Sequence, residues 1–140
     1  MRTVGIDYGD KRIGVSFSDI GGMLAGESFT IFVTSPEKAI DELCEAILSR
    51  NTSEIVLGYP KHMNSDIGDR AKKSEAFAEI LRERTSLPVI LWDERCTTVD
   101  AHRILSETGY HGKKRREKVD SVAASLILQN YLDFKAMSKK

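Results

Sequence analysis

The sequence has no apolar run that approaches the ~20 residues needed to cross a lipid bilayer, which argues against a membrane-spanning helix. Its first residues, MRTVGIDYG, lack the apolar core of a secretory signal peptide. The two cysteines, Cys44 and Cys96, are too few for a disulfide framework or a metal-ligand cluster. These absences predict a protein of the reducing cytoplasm, with no membrane partner.

The chain also lacks an excess of charge of either sign, because 21 basic residues balance 21 acidic ones. A protein with this balance has no global attraction to nucleic acid, so any such binding depends on local clusters of charge. Its 140 residues, 41% hydrophobic and 30% charged, are typical of an ordinary soluble globular domain. We therefore predict a single domain over residues 1–140, with 137–140 as a disordered tail.

Three runs near the N-terminus, at 3–8, 12–18 and 24–33, have the pattern of strands. The tight Gly9-Asp10-Lys11 connection predicts an antiparallel hairpin between the first two. The pattern then changes to alternating helices and strands. The predicted later elements are a helix that begins at Ser35-Pro36-Glu37, a strand at 54–58, a helix at 70–84, a strand at 89–92, and helices at 98–108 and 119–134.

This order predicts an α/β fold with a mixed five-stranded sheet flanked by helices. An antiparallel meander of three strands comes first, and right-handed β-α-β crossovers follow it. Segments 61–68 and 110–118 are predicted to be polar loops. In the first helix, apolar residues at helical spacing are predicted to form one buried stripe: Ile40, Leu43, Cys44, Ile47 and Leu48.

Carboxylates stand at the ends of two predicted apolar strands. Asp7 ends the first strand, and Asp93 and Glu94 follow the strand at 89–92. Sheets of this class place their chemistry at such strand ends. Because side chains alternate along a strand, only one of Asp93 and Glu94 is expected to face a shared site.

Asp120 begins the last predicted helix, on a mostly small or apolar face with Ala124, Ile127 and Tyr131. A carboxylate on such a face is costly unless it is paired, hydrogen-bonded or bound to a metal. Three converging carboxylates would repel one another unless a divalent cation joined them, and oxygen ligands favour Mg²⁺ or Mn²⁺. Two such ions can assist phosphodiester hydrolysis. From the residues alone, metal binding is no better an interpretation than turn capping by Asp7 and a helix-terminal charge at Asp120.

Cations lie near these acids in the sequence. Lys11 and Arg12 follow the first strand in a turn that suits a phosphate, or that is simply solvated. Arg95 can contact a phosphate or form a structural salt bridge, and Tyr59 could stack on a base. Five cations in six residues precede the last helix and suit a substrate-clamping loop, although such runs are usually only solvated: Lys113, Lys114, Arg115, Arg116 and Lys118.

Four segments carry a family signature: GIDYGDKRIGVSFSD at 5–19, IVLGYP at 55–60, WDERCTT at 92–98 and KKRREKVDSVAASLILQNYL at 113–132. Together they resemble the YqgF family, also called RuvX, over nearly the whole chain and in the same order. The resemblance implies a ribonuclease-H-like fold, distantly similar to the resolvase RuvC. It also implies catalytic acids at Asp7, Glu94 and Asp120. Two departures are Ala123, where RuvC-type resolvases carry a further acid, and the segment at 62–68.

The function implied by this resemblance is metal-dependent cleavage of phosphodiester bonds, with Mg²⁺ or Mn²⁺ held by the three acids. The expected substrate is the precursor of small-subunit ribosomal RNA, and older descriptions of the family imply Holliday junctions in branched DNA. Two rivals stay open: a non-catalytic RNA-binding or transcription-associated factor, and an ATP-handling domain of the actin and sugar-kinase type. A junction resolvase would normally be a homodimer, whereas a monomer would favour RNA processing.

Overall fold

The structure is a computed structural model that describes residues 2–9, 11–59, 65–93 and 112–138, without the side chains of 65–70, 93, 112–120 and 137–138. Within these ranges, five strands form one sheet: β1 (Arg2–Tyr8), β2 (Arg12–Ser18), β3 (Ala25–Phe32), β4 (Thr52–Tyr59) and β5 (Val89–Asp93). The helices described are α1 (Pro36–Ser49), α2 (Ser65–Thr85) and α3 (Gly112–Ser138). None of these described helices is long and apolar enough to span a membrane.

The strand order in the sheet is β3-β2-β1-β4-β5. Strands β1, β2 and β3 pair antiparallel, whereas β4 pairs parallel with both β1 and β5. The predicted mixed sheet, with its leading meander and parallel strands, is therefore confirmed. The turn between β1 and β2 requires glycine at position 9, because a Cβ there would lie only 2.7 Å from the carbonyl oxygen of Arg12.

The two faces of the sheet carry different cores. Val4 and Ile6 of β1 belong to the larger core, which also contains buried residues of α1 and α2. On the other face, Val56 of β4 packs with Ile127 and Leu128 of α3. Side chains alternate along a strand, so the position between Val4 and Ile6 faces α3.

Gly5 occupies that position, and α3 lies almost directly on it. A Cβ at Gly5 would be 2.7 Å from the Cβ of Leu128 and 2.9 Å from the carbonyl oxygen of Ala124. On the neighbouring strand β2, the hydroxyl group of Ser16 lies 3.1 Å from that of Ser125 in α3, within hydrogen-bond distance. The absence of a side chain at Gly5 therefore fixes how closely α3 approaches β1.

Polar contacts hold the C-terminal half of α3 to the sheet. Glu54 of β4, with a side chain only 12% exposed, accepts hydrogen bonds from Tyr131 and Thr3, each at 3.1 Å, and from Lys135. Burial raises the pKa of Glu54, but the hydrogen bonds from Lys135 and Tyr131 outweigh it and leave the pKa below its usual value. Burial and the charge of Glu54 raise the pKa of Tyr131 to about 12.

A second contact joins α3 to the loop between β2 and β3. The side-chain oxygen of Gln129 accepts a hydrogen bond from the backbone N–H of Ala25 at 2.8 Å. Its amide nitrogen donates to the carbonyl oxygen of Met23 at 3.0 Å. Gln129 thus satisfies two backbone groups, one in the loop and one at the start of β3.

Two predicted helix boundaries are wrong. Helix α2 begins at Ser65, so residues 65–68 are helical rather than part of the polar loop predicted at 61–68. Helix α3 begins at Gly112, so the basic run at 113–118 is helical rather than a loop. Lysine, arginine and glutamate are good helix formers, so a charged run can extend a helix outward from its packed part. The helix predicted at 98–108 lies outside the described residues.

Two further predictions need correction. Leu48 is 55% exposed and is not part of the buried stripe of α1, which includes Ala39 instead. Each residue advances a helix by roughly 100°, and this step carries Leu48 past the edge of the face that Leu43 and Ile47 bury. At the C-terminus, residues 137 and 138 belong to α3 rather than to a disordered tail.

Candidate active site

Asp7 lies near the carboxyl end of β1, where it pairs with Gly14 of β2. Gly5 and Asp7 are two residues apart in the same strand, so both face α3. Asp7 is half-buried. Gly14 is itself buried, so Asp7 lies beside a covered part of β2.

Helix α3 runs antiparallel to β1, as three contacts show. Tyr131 bonds to Glu54 near the start of β4, whereas Leu128 and Ala124 lie over Gly5. One helical turn before Ala124 is residue 120, and two residues beyond Gly5 is Asp7. A turn of four residues and a step of two strand residues both advance by roughly 6 Å. The backbone at residue 120 is therefore at about the level of Asp7, although the side chain of Asp120 is not described.

The face of α3 that was expected to pack on the sheet does so. Ala124 and Ile127 are fully buried, and Tyr131 is 8% exposed. The ring of Tyr131 packs edge-to-face against Trp92 of β5, with centroids 5.4 Å apart. The residues that follow Asp120 at helical spacing thus form the contact surface of α3.

Strand β5 leads towards Glu94, the second predicted acid, and the structure describes this strand as far as Asp93. Ile90 and Trp92 pack against the core beneath α3, and Leu91 packs against the core beneath α1 and α2. The strand ends at Asp93, whose side chain is not described. Glu94 and Arg95 lie outside the described residues.

The predicted cations lie in two regions of the described backbone. Lys11 is exposed and Arg12 is half-buried, and both are at the same end of the sheet as Asp7. The second group occupies the first turns of α3, ahead of residue 120, and its side chains are not described: Lys113, Lys114, Arg115 and Arg116.

Among the side chains that the structure describes, no three histidine, cysteine, aspartate or glutamate residues come together as a metal site. Two of the three predicted ligands, Glu94 and Asp120, fall outside that set. The predicted donor set consists only of carboxylate oxygens, and hard divalent cations such as Mg²⁺ and Mn²⁺ prefer oxygen ligands. The residue types therefore fit such an ion.

Aromatic contacts at the same end of the sheet were not anticipated from the sequence. The rings of Tyr8 and Phe77 stack with centroids 4.2 Å apart and 15° between their planes. Nearby in α2, Glu75 accepts a hydrogen bond from the Tyr59 hydroxyl at 2.8 Å, which raises the pKa of Tyr59. Tyr8 directly follows Asp7 in the sequence, and this adjacency was the available signal.

The fold is similar to that of two solved structures. One is "T. thermophilus RuvC in complex with Holliday junction substrate", with a TM-score of 0.61 and 12% identity over 97% of this chain and 96% of that chain. The other is a Fowlpox virus resolvase bound to Holliday junction DNA, with a TM-score of 0.59 and 12% identity over 96% of this chain and 99% of that chain. At this identity the likeness shows the fold, which is of the predicted ribonuclease-H-like class.

Sequence relatives define the family. Proteins named "Putative pre-16S rRNA nuclease" match over nearly their whole length. The one from Halothermothrix orenii is 42% identical over 134 residues, 96% of each chain. The one from Thermoanaerobacter pseudethanolicus is 45% identical over 134 residues, 95% of this chain and 96% of that protein. The model of the RuvX family, described as Holliday junction resolvase, matches residues 1–134. The chain belongs to the RuvX family and is a nuclease, as predicted.

Proposed function

We propose that the chain is a divalent-metal-dependent nuclease that matures the precursor of small-subunit ribosomal RNA. The names of the relatives support this substrate, and such a role would place the protein in the cytoplasm. The observation that carries the catalytic part is the close packing of α3 on Gly5. This packing supports a site shared by Asp7 and Asp120, because it aligns their backbones at one end of β1.

Asp7, Glu94 and Asp120 are the proposed metal ligands. We prefer Glu94 to Asp93 because the resemblance of WDERCTT at 92–98 to the family motif implies that the catalytic acid is at position 94. A bound Mg²⁺ or Mn²⁺ would neutralise the carboxylates and supply Lewis-acid activation for phosphodiester hydrolysis.

The proposed site has three acids rather than four. Ala123 occupies the position of a further acid in RuvC-type resolvases, and it is only 1% exposed. A carboxylate at this packed position would be desolvated unless it had a partner. The buried methyl group therefore favours a site in which the proposed three carboxylates are the acidic ligands.

The proposed contribution of the cations is to hold the phosphates of the substrate strand. Lys11 and Arg12 would do so at the turn between β1 and β2, and Arg95 would do so after β5. The basic first turns of α3 would supply a salt-dependent attraction to the same backbone: Lys113, Lys114, Arg115 and Arg116.

The direct test is cleavage of a ribosomal RNA precursor by purified Asp7→Asn and Asp120→Asn variants with Mg²⁺, with Mn²⁺ and with chelator. Both variants should fold and lose cleavage, and chelator should abolish wild-type activity. Asp133→Asn is the matched control, because Asp133 is an exposed acid on the same helix, far from residue 120. Wild-type cleavage by either site variant would reject the assignment.

The family description favours one second candidate, cleavage of Holliday junctions. A four-way DNA junction should be tested beside the RNA precursor, again with Asp120→Asn as the control. Symmetrical cutting of two strands would require a homodimer, so the mass of the protein in solution should be measured with it. Cutting of the junction but not of the RNA would replace our proposal. RNA binding without cleavage under any divalent metal would instead indicate a non-catalytic factor.

A further inference from the structure

A small apolar cleft opens at the Asp7 end of the sheet, on the face opposite to α3. Its volume is about 120 Å³, and it lies between the turn after β1 and the first turns of α1. Tyr8 forms an aromatic wall that is backed by the stacked ring of Phe77. Val33 and Pro36 contribute to the remaining apolar lining.

The size of the cleft matches one six-membered ring. A cavity of roughly 150 Å³ is known to hold benzene, and this cleft is slightly smaller but open to solvent on one side. A single ring can enter and keep its polar edge in water. A fused two-ring system would leave its second ring outside.

The surroundings of the cleft favour a nucleic-acid strand as the source of that ring. Exposed Lys11 lies on the adjoining turn, and its carbonyl oxygen accepts a hydrogen bond from the N–H of Val33 at 2.9 Å. This bond joins the cationic turn to the lining of the cleft. Glu37, an exposed acid in the first turn of α1, directly follows Pro36 of the lining.

The position of the cleft relates it to the proposed reaction. Asp7 and Tyr8 are consecutive residues of β1, so their side chains lie on opposite faces at the same end of the sheet. A nucleic-acid strand that crosses this end of the sheet can place a phosphate beside Asp7 while a neighbouring base turns towards Tyr8. Stacking on aromatic side chains is a common way to hold unpaired bases.

We propose that the cleft between Tyr8, Val33 and Pro36 binds one unpaired pyrimidine base of the substrate strand. This inference rests on the proposed nuclease function. It specifies the substrate as a segment that is single-stranded, or splayed open, beside the cut. Fully paired arms of a DNA junction do not offer such a base.

The test measures binding by fluorescence anisotropy in the presence of chelator, so that neither cleavage nor metal contributes. Labelled oligouridine, oligocytidine and oligoadenosine are compared, and oligothymidine tests whether DNA can supply the base. Wild-type protein should bind the pyrimidine oligomers at least about fivefold more tightly than oligoadenosine, the lower end of what a base–aromatic stack contributes.

Two variants address the cleft itself. Val33→Phe should fill it, and Tyr8→Leu should remove the aromatic wall while keeping an apolar side chain. Each should weaken binding of oligouridine at least about fivefold and reduce the pyrimidine preference. Phe134→Leu is the matched control, because Phe134 is an aromatic residue that is 55% exposed on α3, outside the cleft.

A third measurement needs no variant and remains decisive if both substitutions prevent folding. An oligomer that carries 5-iodouridine should photocrosslink to Tyr8 or Phe77 of the wild-type protein. Equal binding of all bases, or crosslinks only outside the cleft, would overturn the proposal. Cleavage assays distinguish the failure of this proposal from the failure of the proposed function. An active enzyme without base preference refutes only the cleft. A protein that crosslinks in the cleft but does not cleave refutes only the proposed catalytic function.

Discussion

Replacing Gly5 with alanine should disturb both the stability and the activity of the protein. The added Cβ would lie 2.7 Å from the Cβ of Leu128, whereas ordinary contacts begin at 3.4 Å. The difference, 3.4 minus 2.7, requires α3 to move away from β1 by about 0.7 Å. The second close atom is the carbonyl oxygen of Ala124, which belongs to the helix backbone. No rotation of a side chain can therefore relieve the overlap.

The expected cost in unfolding free energy is about 1–3 kcal/mol, the usual range for overpacking a close-packed core. For a chain of this length, that corresponds to a fall in Tm of about 3–10 °C. The cleavage rate should fall more than the loss of folded protein alone would explain. A displacement of reacting groups by ~1 Å can reduce a rate by about 100-fold, and we propose that α3 carries one of the catalytic acids.

The assay compares urea unfolding with cleavage of the RNA precursor at a temperature well below the Tm of the variant. Gly26→Ala is the matched control, because Gly26 also lies in a strand and its added Cβ would meet only an ordinary contact, at 3.4 Å from the carbonyl oxygen of Phe17. That substitution should be neutral or stabilising by up to about 1 kcal/mol. If Gly5→Ala matched Gly26→Ala in both stability and activity, close packing of α3 on β1 could not be what aligns the site.

Three further predictions concern other parts of the fold. Glu54→Gln should make the stability of the protein less dependent on pH in acid. The pKa of Glu54 is lowered, so its contribution to stability is present above the usual value of 4.5 and is lost as pH falls through the lowered value. Urea unfolding down to about pH 3 measures this difference. Gln129→Ala should lose about 1–3 kcal/mol of stability, and hydrogen exchange at the amide of Ala25, its former donor, should become faster than in the wild type. Burial raises the pKa of Cys44, which is 3% exposed. In a Cys96→Ser variant, a thiol reagent should therefore modify Cys44 slowly until denaturant is added. Rapid modification of the native protein would contradict this burial.

The strands could be predicted from sequence because the alternation of residue types along a strand reflects which of its faces is buried. Val4 and Ile6 share one core, and Gly5 between them faces the other. The short turn at Gly9 then left little choice but an antiparallel hairpin. Each of these inferences needed only neighbouring residues.

The limits of α3 and the edge of the α1 stripe were harder to predict, for two different reasons. The charged run at 113–118 has the polarity of a loop, but its residues are good helix formers and the structure continues the helix through them. Leu48 has the right residue type and spacing for burial, but the neighbouring elements do not cover it.

The site could be predicted only in part for a similar reason. The face of α3 that begins at Asp120 follows from helical spacing, and the burial of Ala124 agrees with it. The contact between Gly5 and Leu128 joins segments that are distant in sequence, and so does the stack of Tyr8 on Phe77. Neither pair carries a local signal that names its partner.

The long-range contacts of α3 also bear on how the protein becomes active during synthesis. Ser16 meets Ser125 across 109 positions, and Met23 meets Gln129 across 106. Until α3 has left the ribosome, the sheet of the nascent chain has one uncovered face, and Asp7 lacks its proposed partner on the helix. Domains generally fold as units during translation. The site that we propose is therefore completed only when α3 packs over the sheet, which ties its assembly to a late step in folding.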